Sequence, residues 1–382
     1  MKPETRNQKL ETKQMVICSP QLGLNPNSIL GGEVFDREIL LGLAKKGIKI
    51  EIILPRDKPH DKNVKNWNVT YLPLSRFPAV FGNFLIIPYL FKVFKKCPFD
   101  ILRIHSPKFL GLGCIFFKLI NKKIKLIATY HQFKETKFWL FSKIVNNYWD
   151  HIICDSIAVK NRIIKVYQIS SSKITVVHNG VPRYLKPTKK DKVLMKKLNL
   201  EGKIVLLFMG LFIERKNPLF LLEVLSKLTQ TRSDLVLIFW GEGPLKSQIL
   251  RKAKRLGVIN QIRIQKPIFG KEKNKIHNLA DVFVHPSLDE GFALAPLESM
   301  ACAKPVVITN GYSAKEAVED GVNGFICHYN DTNHWSQKLN QLVTSPKLRK
   351  RIGQSSLAKI KKEFQWRFAV EEHLRVFKKL VK

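Results

Sequence analysis

Short apolar runs rich in β-branched residues alternate with amphipathic stretches along almost the whole chain, the pattern of βαβ units that build parallel sheets. In the first half it predicts strands at residues 15–19, 48–54, 100–104, 125–129, 151–154 and 174–177. Helical periodicity separates several of them, most clearly over 33–46, where Gly47 supplies the stop. The polar stretch 182–197, with Pro187 and a run of lysines, reads as a linker and a lead-in helix. The alternation then restarts, with strands predicted at 204–209, 235–240, 261–265, 282–285 and 306–309 and a closing helix over 364–382. The expected fold class is therefore α/β, with doubly wound domains at 14–184 and 185–363 and residues 364–382 returning towards the first domain. Such folds bind ligands outside the carboxyl ends of their strands, so a site should combine loops from both halves.

The bulk numbers agree with two domains. A chain of 382 residues exceeds what one core usually holds, and 45% hydrophobic with 25% charged residues is ordinary for a globular protein. The formal charge of +36 is carried by both halves. Such a field attracts nucleic acid, anionic lipid or a phosphorylated ligand without choosing among them, and a lysine-rich solvated surface explains it equally well. Basic runs interleaved with aromatics, which a nucleic-acid platform needs, are not evident, and nucleic acid is not the expected partner. The six cysteines are scattered with no Cys-x-x-Cys pair, as reduced thiols would be rather than a zinc site or a disulfide framework. Residues 1–13 are polar and read as a disordered lead-in rather than a secretory signal, and the nearly uncharged run 77–91 is too short to span a bilayer. A cytoplasmic protein is expected.

The most informative stretch is Asp289-Glu290-Gly291-Phe292-Ala293-Leu294-Ala295-Pro296-Leu297-Glu298, which follows the strand ending at His285. Gly291 permits a tight strand-to-helix turn, and the residues after it are good helix formers. Glu290 would then sit at the mouth and Glu298 about two turns inside on the same side, beside N–H groups that suit an anion. That arrangement fits a ligand with a phosphate at its middle and hydroxyls at both ends.

This run, with its continuation Ser299-Met300-Ala301-Cys302-Ala303-Lys304-Pro305-Val306-Val307, closely resembles the group 1 glycosyl transferases, family four of the retaining enzymes. The resemblance extends over roughly 31–335 and implies a GT-B fold, two Rossmann-like domains facing a cleft, in which a sugar moves from a nucleotide diphosphate donor with retention. It further implies that Glu290 contacts the donor sugar and Glu298 the ribose, with Gly291, Phe292, Ala293 and Leu294 in the same donor-binding element. Gly31 and Gly32 match the family's glycine-rich loop, and His131 its histidine near the reacting centre. The loop from Gly210 to Asn217 matches its phosphate clamp, with Arg215 and Lys216 supplying charge to the departing diphosphate. Phe269 falls where the family's loop borders the base, and Glu316 fits the pattern of a further loop. One departure stands out: Leu211 occupies a position that is usually basic. No Asp-x-Asp occurs, so no metal or other cofactor is expected, and no Walker-type loop is present.

The acceptor is expected to be a glycan or lipid-linked precursor, as in cell envelope glycan biosynthesis. Residues 80–94 are apolar on nearly every face and end in lysines, which suits a helix dipping into an anionic membrane on its inner face or one buried in the first domain. A sugar-nucleotide isomerase or hydrolase, a donor-binding protein without transfer activity, and a basic nucleic-acid-binding protein remain alternatives.

Overall fold

The computed structural model describes residues 14–28, 30–73, 82–105, 107–131, 145–288, 290–311 and 313–382. The lead-in at 1–13, Asp289 and residues 80–81 of the apolar run lie outside them.

The first domain is a parallel sheet in the order β3-β2-β1-β4-β5-β6-β7. Its strands are β1 (Val16–Pro20), β2 (Lys49–Pro55), β3 (Trp67–Leu72), β4 (Ile101–His105), β5 (Lys125–Tyr130), β6 (His151–Cys154) and β7 (Ile174–Val176). Around it lie α1 (Gly31–Lys45), α2 (Gly82–Lys96), α3 (Pro107–Ile120) and α4 (Ile157–Tyr167). The second sheet is also parallel, in the order β10-β9-β8-β11-β12-β13. It comprises β8 (Ile204–Met209), β9 (Leu235–Trp240), β10 (Ile262–Gln265), β11 (Val282–His285), β12 (Val306–Thr309) and β13 (Gly324–Cys327). Helices α5 (Lys192–Lys197), α6 (Phe220–Thr229), α7 (Lys246–Arg255), α8 (Lys273–Leu279), α9 (Leu294–Ala301), α10 (Ala314–Ala317), α11 (Thr332–Thr344) and α12 (Pro346–Glu363) accompany it, and α13 (Trp366–Val381) closes the chain. These are two Rossmann-like domains in the GT-B arrangement.

Central strands are buried along their whole length, as in β1 and β9, because helices cover both faces of a parallel sheet. That is why they read as continuous apolar runs. Two edge strands, β3 and β13, were not expected from the sequence. Strand β3 is half-exposed and mixes Asn68 and Thr70 among its apolar residues, and β13 is only four residues long. Each sheet reverses direction of winding beside its first strand, between β1 and β4 and between β8 and β11.

Helix α13 belongs structurally to the first domain. Its Trp366, Val370 and Phe377 bury with Phe35, Ile39 and Leu43 of α1 in one core. The contact is close: a Cβ at Gly42 would come within 2.2 Å of the Val370 side chain. Phe377→Ala, at a fully buried position, should therefore cost about 3–5 kcal/mol. Urea denaturation followed by circular dichroism would show it, and a cost below about 1 kcal/mol would mean that α13 does not share that core.

Candidate active site

The first-domain side of the cleft is a cluster of charges at the carboxyl ends of β4, β5 and β6. Asp36 lies on α1, within two turns of Gly31 and Gly32, and is fully buried. It accepts a hydrogen bond from Arg103 of β4 and sits 2.5 Å from His105 Nδ1. His131, just past β5, places Nε2 3.8 Å from Asp36 and Nδ1 3.5 Å from Asp155, which follows β6. Burial raises the cost of a charged Asp36, but Arg103 and then His105 outweigh it and hold its carboxyl well below the usual range. Burial likewise works against an imidazolium at His131, yet the Asp155 and Asp36 carboxylates, close to its two nitrogens without hydrogen-bonding them, prevail and raise its pKa to about 9. Asp155 itself is pushed up to about 6 by burial despite His131. The two carboxylates therefore favour the protonated form of His131.

Asp36, His105 and His131 hold ligand atoms within 4.8 Å of one another, the one group of this kind among the described residues. Arg103 already compensates Asp36 there, so a divalent ion would have to compete with a guanidinium.

On the opposite side, Gly210 directly follows β8, ahead of a single 3-10 turn, Glu214–Lys216. Arg215 Nη1 lies 2.9 Å from Glu290 Oε1, Lys216 pairs with the same oxygen, and Ser287 Oγ donates to it at 2.6 Å. The Arg215 carbonyl, 3.0 Å from Ser287 Oγ, is a second acceptor within reach of the same single proton. Burial opposes the Glu290 charge, but Lys216 first, then His285 and Arg215, keep its carboxyl well below the ordinary range. Leu211 is half-buried.

The expectation that Glu290 and Glu298 share one side of a helix is corrected. Helix α9 begins only at Leu294, because residues 290–293 stay extended or bent against the first domain. Glu298 lies in its second turn with different partners: Lys273 of α8 pairs with Oε1, and His277 Nε2 is 3.3 Å from Oε2. Despite burial, Lys273 and His277 lower its pKa to about 2. His277 is itself held by Ser299 Oγ at 2.7 Å. Ala293 caps α9 without a side-chain hydrogen bond, and no acidic residue stands in the first turn, so its N–H groups are available to an anion.

The two sides meet at Gly291, where a Cβ would fall 1.7 Å from the His131 carbonyl oxygen. Asn179 Nδ2 donates to the Phe292 carbonyl at 2.9 Å, and His178 stacks on the Phe292 ring at 5.0 Å. Glu316 of α10 crosses between domains: it accepts from Ile157 N at 2.8 Å and Ala158 N at 3.1 Å, capping α4, and lies 2.8 Å from His178 Nε2. Gly31 approaches Leu294, and Gly32 faces the rings of His131 and His105. The structure thus brings together Gly31, Gly32, His131, Gly291, Phe292, Ala293 and Leu294 in one place, and Arg215, Lys216 and Glu290 in another. Phe269 is half-buried just before the turn Gly270–Glu272 that leads to Lys273, on the Glu298 side.

Asp36, Arg103, His105 and Asp155 were missed by sequence reasoning. The signal was there: an aspartate on the apolar face of α1 beside Phe35, and an arginine between Leu102 and Ile104 in a central strand. A charge at such a position is costly unless paired.

Comparison with known proteins follows the two domains. The family model described as Glycosyltransferase Family 4 matches residues 29–183, and that described as Glycosyl transferases group 1 matches residues 190–358. The chain is 27% identical over 224 residues to spore coat protein SA of Bacillus subtilis, a match covering 54% of this chain but only 59% of that relative's length. It is 26% identical over 307 residues to an uncharacterized glycosyltransferase of Methanocaldococcus jannaschii, covering 75% of this chain and 76% of the relative. Among solved structures, Anabaena HepE in complex with UDP superposes with a TM-score of 0.80 at 16% identity, over 96% of this chain and all of the other. That likeness is one of fold.

The histidinium has a consequence for stability. Because its folded pKa of about 9 lies above the ordinary 6.5, His131 contributes stability that is fully present below pH 6.5 and is lost as the pH rises through about 9. The urea midpoint should fall between pH 7 and 9.5 in the wild type and fall less steeply in His131→Gln. Equal slopes would place the proton elsewhere.

Proposed function

We propose, from the premise that this chain belongs to the group 1 glycosyl transferases, that it moves a sugar from a nucleotide diphosphate donor to an acceptor hydroxyl with retention at the anomeric carbon. The observation that carries this reading is the convergence of Arg215 and Lys216 on the Glu290 carboxylate. Two cations at one oxygen, in a part-buried cleft, mark a place built for more negative charge than a single glutamate provides. In this reading the diphosphate takes over Arg215 and Lys216, and Glu290 turns to hydroxyls of the donor sugar.

The remaining residues fall into place around that exchange. Glu298, ionised at any physiological pH, accepts hydrogen bonds from the ribose, oriented by Lys273 and His277. The amides opening α9 and the backbone at Gly210 face the phosphates, and Phe269 borders the base. When the bond from the anomeric carbon to the phosphate oxygen breaks, its electron pair leaves with the diphosphate, where the fixed charges of Lys216 and Arg215 stabilise it. The acceptor oxygen forms the new bond as its proton passes to the oxygen of the departing diphosphate, which has taken the electron pair. His131 stands on the sugar and acceptor side, its charge compensated by Asp36 and Asp155. Arg215 replaces the basic residue that Leu211 is not, and the pair serves the role that a divalent ion has in other transferases. That the Anabaena neighbour is in complex with UDP supports a donor of this class. The acceptor is read as a glycan or lipid-linked precursor, met on the cytoplasmic side.

Lys216→Ala should lower kcat about 100- to 1,000-fold, measured as nucleoside diphosphate released from a panel of donors with candidate acceptors, and chelation of divalent ions should leave the wild-type rate unchanged. Near-normal turnover in the variant would remove Lys216 from the mechanism. Donor binding with no turnover on any acceptor would favour a binding protein, the reading that Leu211 keeps in view.

A further inference from the structure

Two neighbouring helices of the first domain turn large apolar side chains outward. On α2 these are Phe84, 64% exposed, with Leu85 and Phe91; on α3 they are Phe116, Leu119 and Ile120, each about half exposed at 49–56%. The spacing places them in one stripe per helix, with the opposite faces, including Ile86, Leu90 and Val93 on α2 and Cys114 and Phe117 on α3, closed into the core. The stripes lie side by side. A Cβ at Gly113 would fall 2.1 Å from the Asn83 carbonyl oxygen, Asn83 Oδ1 accepts from Leu112 N at 2.9 Å, and the Phe91 and Phe117 rings meet edge to face at 4.8 Å. A monomeric protein rarely leaves such a contiguous surface open without a use for it.

Charge identifies what the surface fits. Neither helix contains an aspartate or glutamate, and their shared end is cationic: Lys92, Lys95 and Lys96 close α2, and Lys122 and Lys123 follow α3, all exposed. An apolar stripe for acyl chains beside a row of ammonium groups for phosphates complements an anionic lipid surface. A second copy of this chain would instead bring five like charges against five. Both helices begin at the carboxyl edge of the sheet, α3 two residues after His105. A bilayer under this face would therefore lie on the order of 20 Å or less along the helices from the cleft, within reach of an amphiphilic acceptor.

We infer that the paired outer faces of α2 and α3 dock the protein on an anionic lipid bilayer. This goes beyond sugar transfer and does not depend on it, since the test needs no donor or acceptor. The full chain is sedimented with vesicles of phosphatidylcholine alone or mixed with phosphatidylglycerol, with circular dichroism confirming the fold of each variant. A chain this basic will adhere weakly to any anionic surface, so the variants decide. The double substitution Phe84→Ser with Phe116→Ser keeps every charge and should lower partitioning onto the mixed vesicles at least about tenfold. Lys95→Glu with Lys96→Glu should weaken it more than Lys350→Glu with Lys362→Glu on α12, which changes net charge equally. Undiminished binding by the phenylalanine variant, or equal losses for the two lysine pairs, would overturn the inference. So would a dimer in gel filtration that the phenylalanine variant dissolves.

Discussion

A single carbonyl oxygen sets how closely the two domains stand. The His131 carbonyl reaches so far towards the second domain that only glycine fits at position 291. That contact places the charge cluster of the first sheet directly against the loop that carries Glu290, and it explains why residues 290–293 stay non-helical before α9 starts. Asn179 on Phe292 and Glu316 on the start of α4 hold the same approach from either flank. Because Glu316 caps a helix of the other domain, it gains the favourable interaction of a carboxylate with the positive end of α4 only when the domains are together. Close approach and charge pairing thus reinforce each other.

Within the cleft, opposed charges are stored rather than left to water. Arg103 and His131 answer Asp36 and Asp155, Arg215 and Lys216 answer Glu290, and Lys273 answers Glu298. Burying such groups unpaired would cost several kcal/mol each, so each is held in place by a partner already present. For a donor carrying a diphosphate this is an advantage. The cations are oriented before it arrives, and exchanging one anionic partner for another avoids desolvating them anew.

How much of this could be read from the chain follows from where the information resides. Central strands such as β8 and β9 were legible to the residue because burial on both faces leaves uninterrupted apolar runs. Strands β3 and β13 were not, since an edge strand satisfies only one side and tolerates Asn68 or Gly324. The pair Glu290 and Glu298 stands out through a spacing that predicts one helix, but the approach of His131, a tertiary contact, delays the start of that helix to Leu294. Asp36, Arg103, His105 and Asp155 come from three separate elements, with only Arg103 and His105 sharing a strand, so little local joins them. The one available hint was a charge on a face that should be apolar. Likewise the apolar run at α2 was evident as a helix, but its neighbour α3 and the exposure of both emerge only when they are packed side by side.

The proposal that Glu290 holds the place of the donor's diphosphate is tested most directly by calorimetric titration of the preferred nucleoside diphosphate, without sugar, into the wild type and Glu290→Gln. Removing the carboxylate takes away the anion that the diphosphate must displace from Arg215 and Lys216. The variant should bind the nucleoside diphosphate more tightly, by about tenfold for one charge-assisted contact relieved. Unchanged or weaker binding would mean that the cations do not pass from Glu290 to the phosphates, and would contradict the site as described.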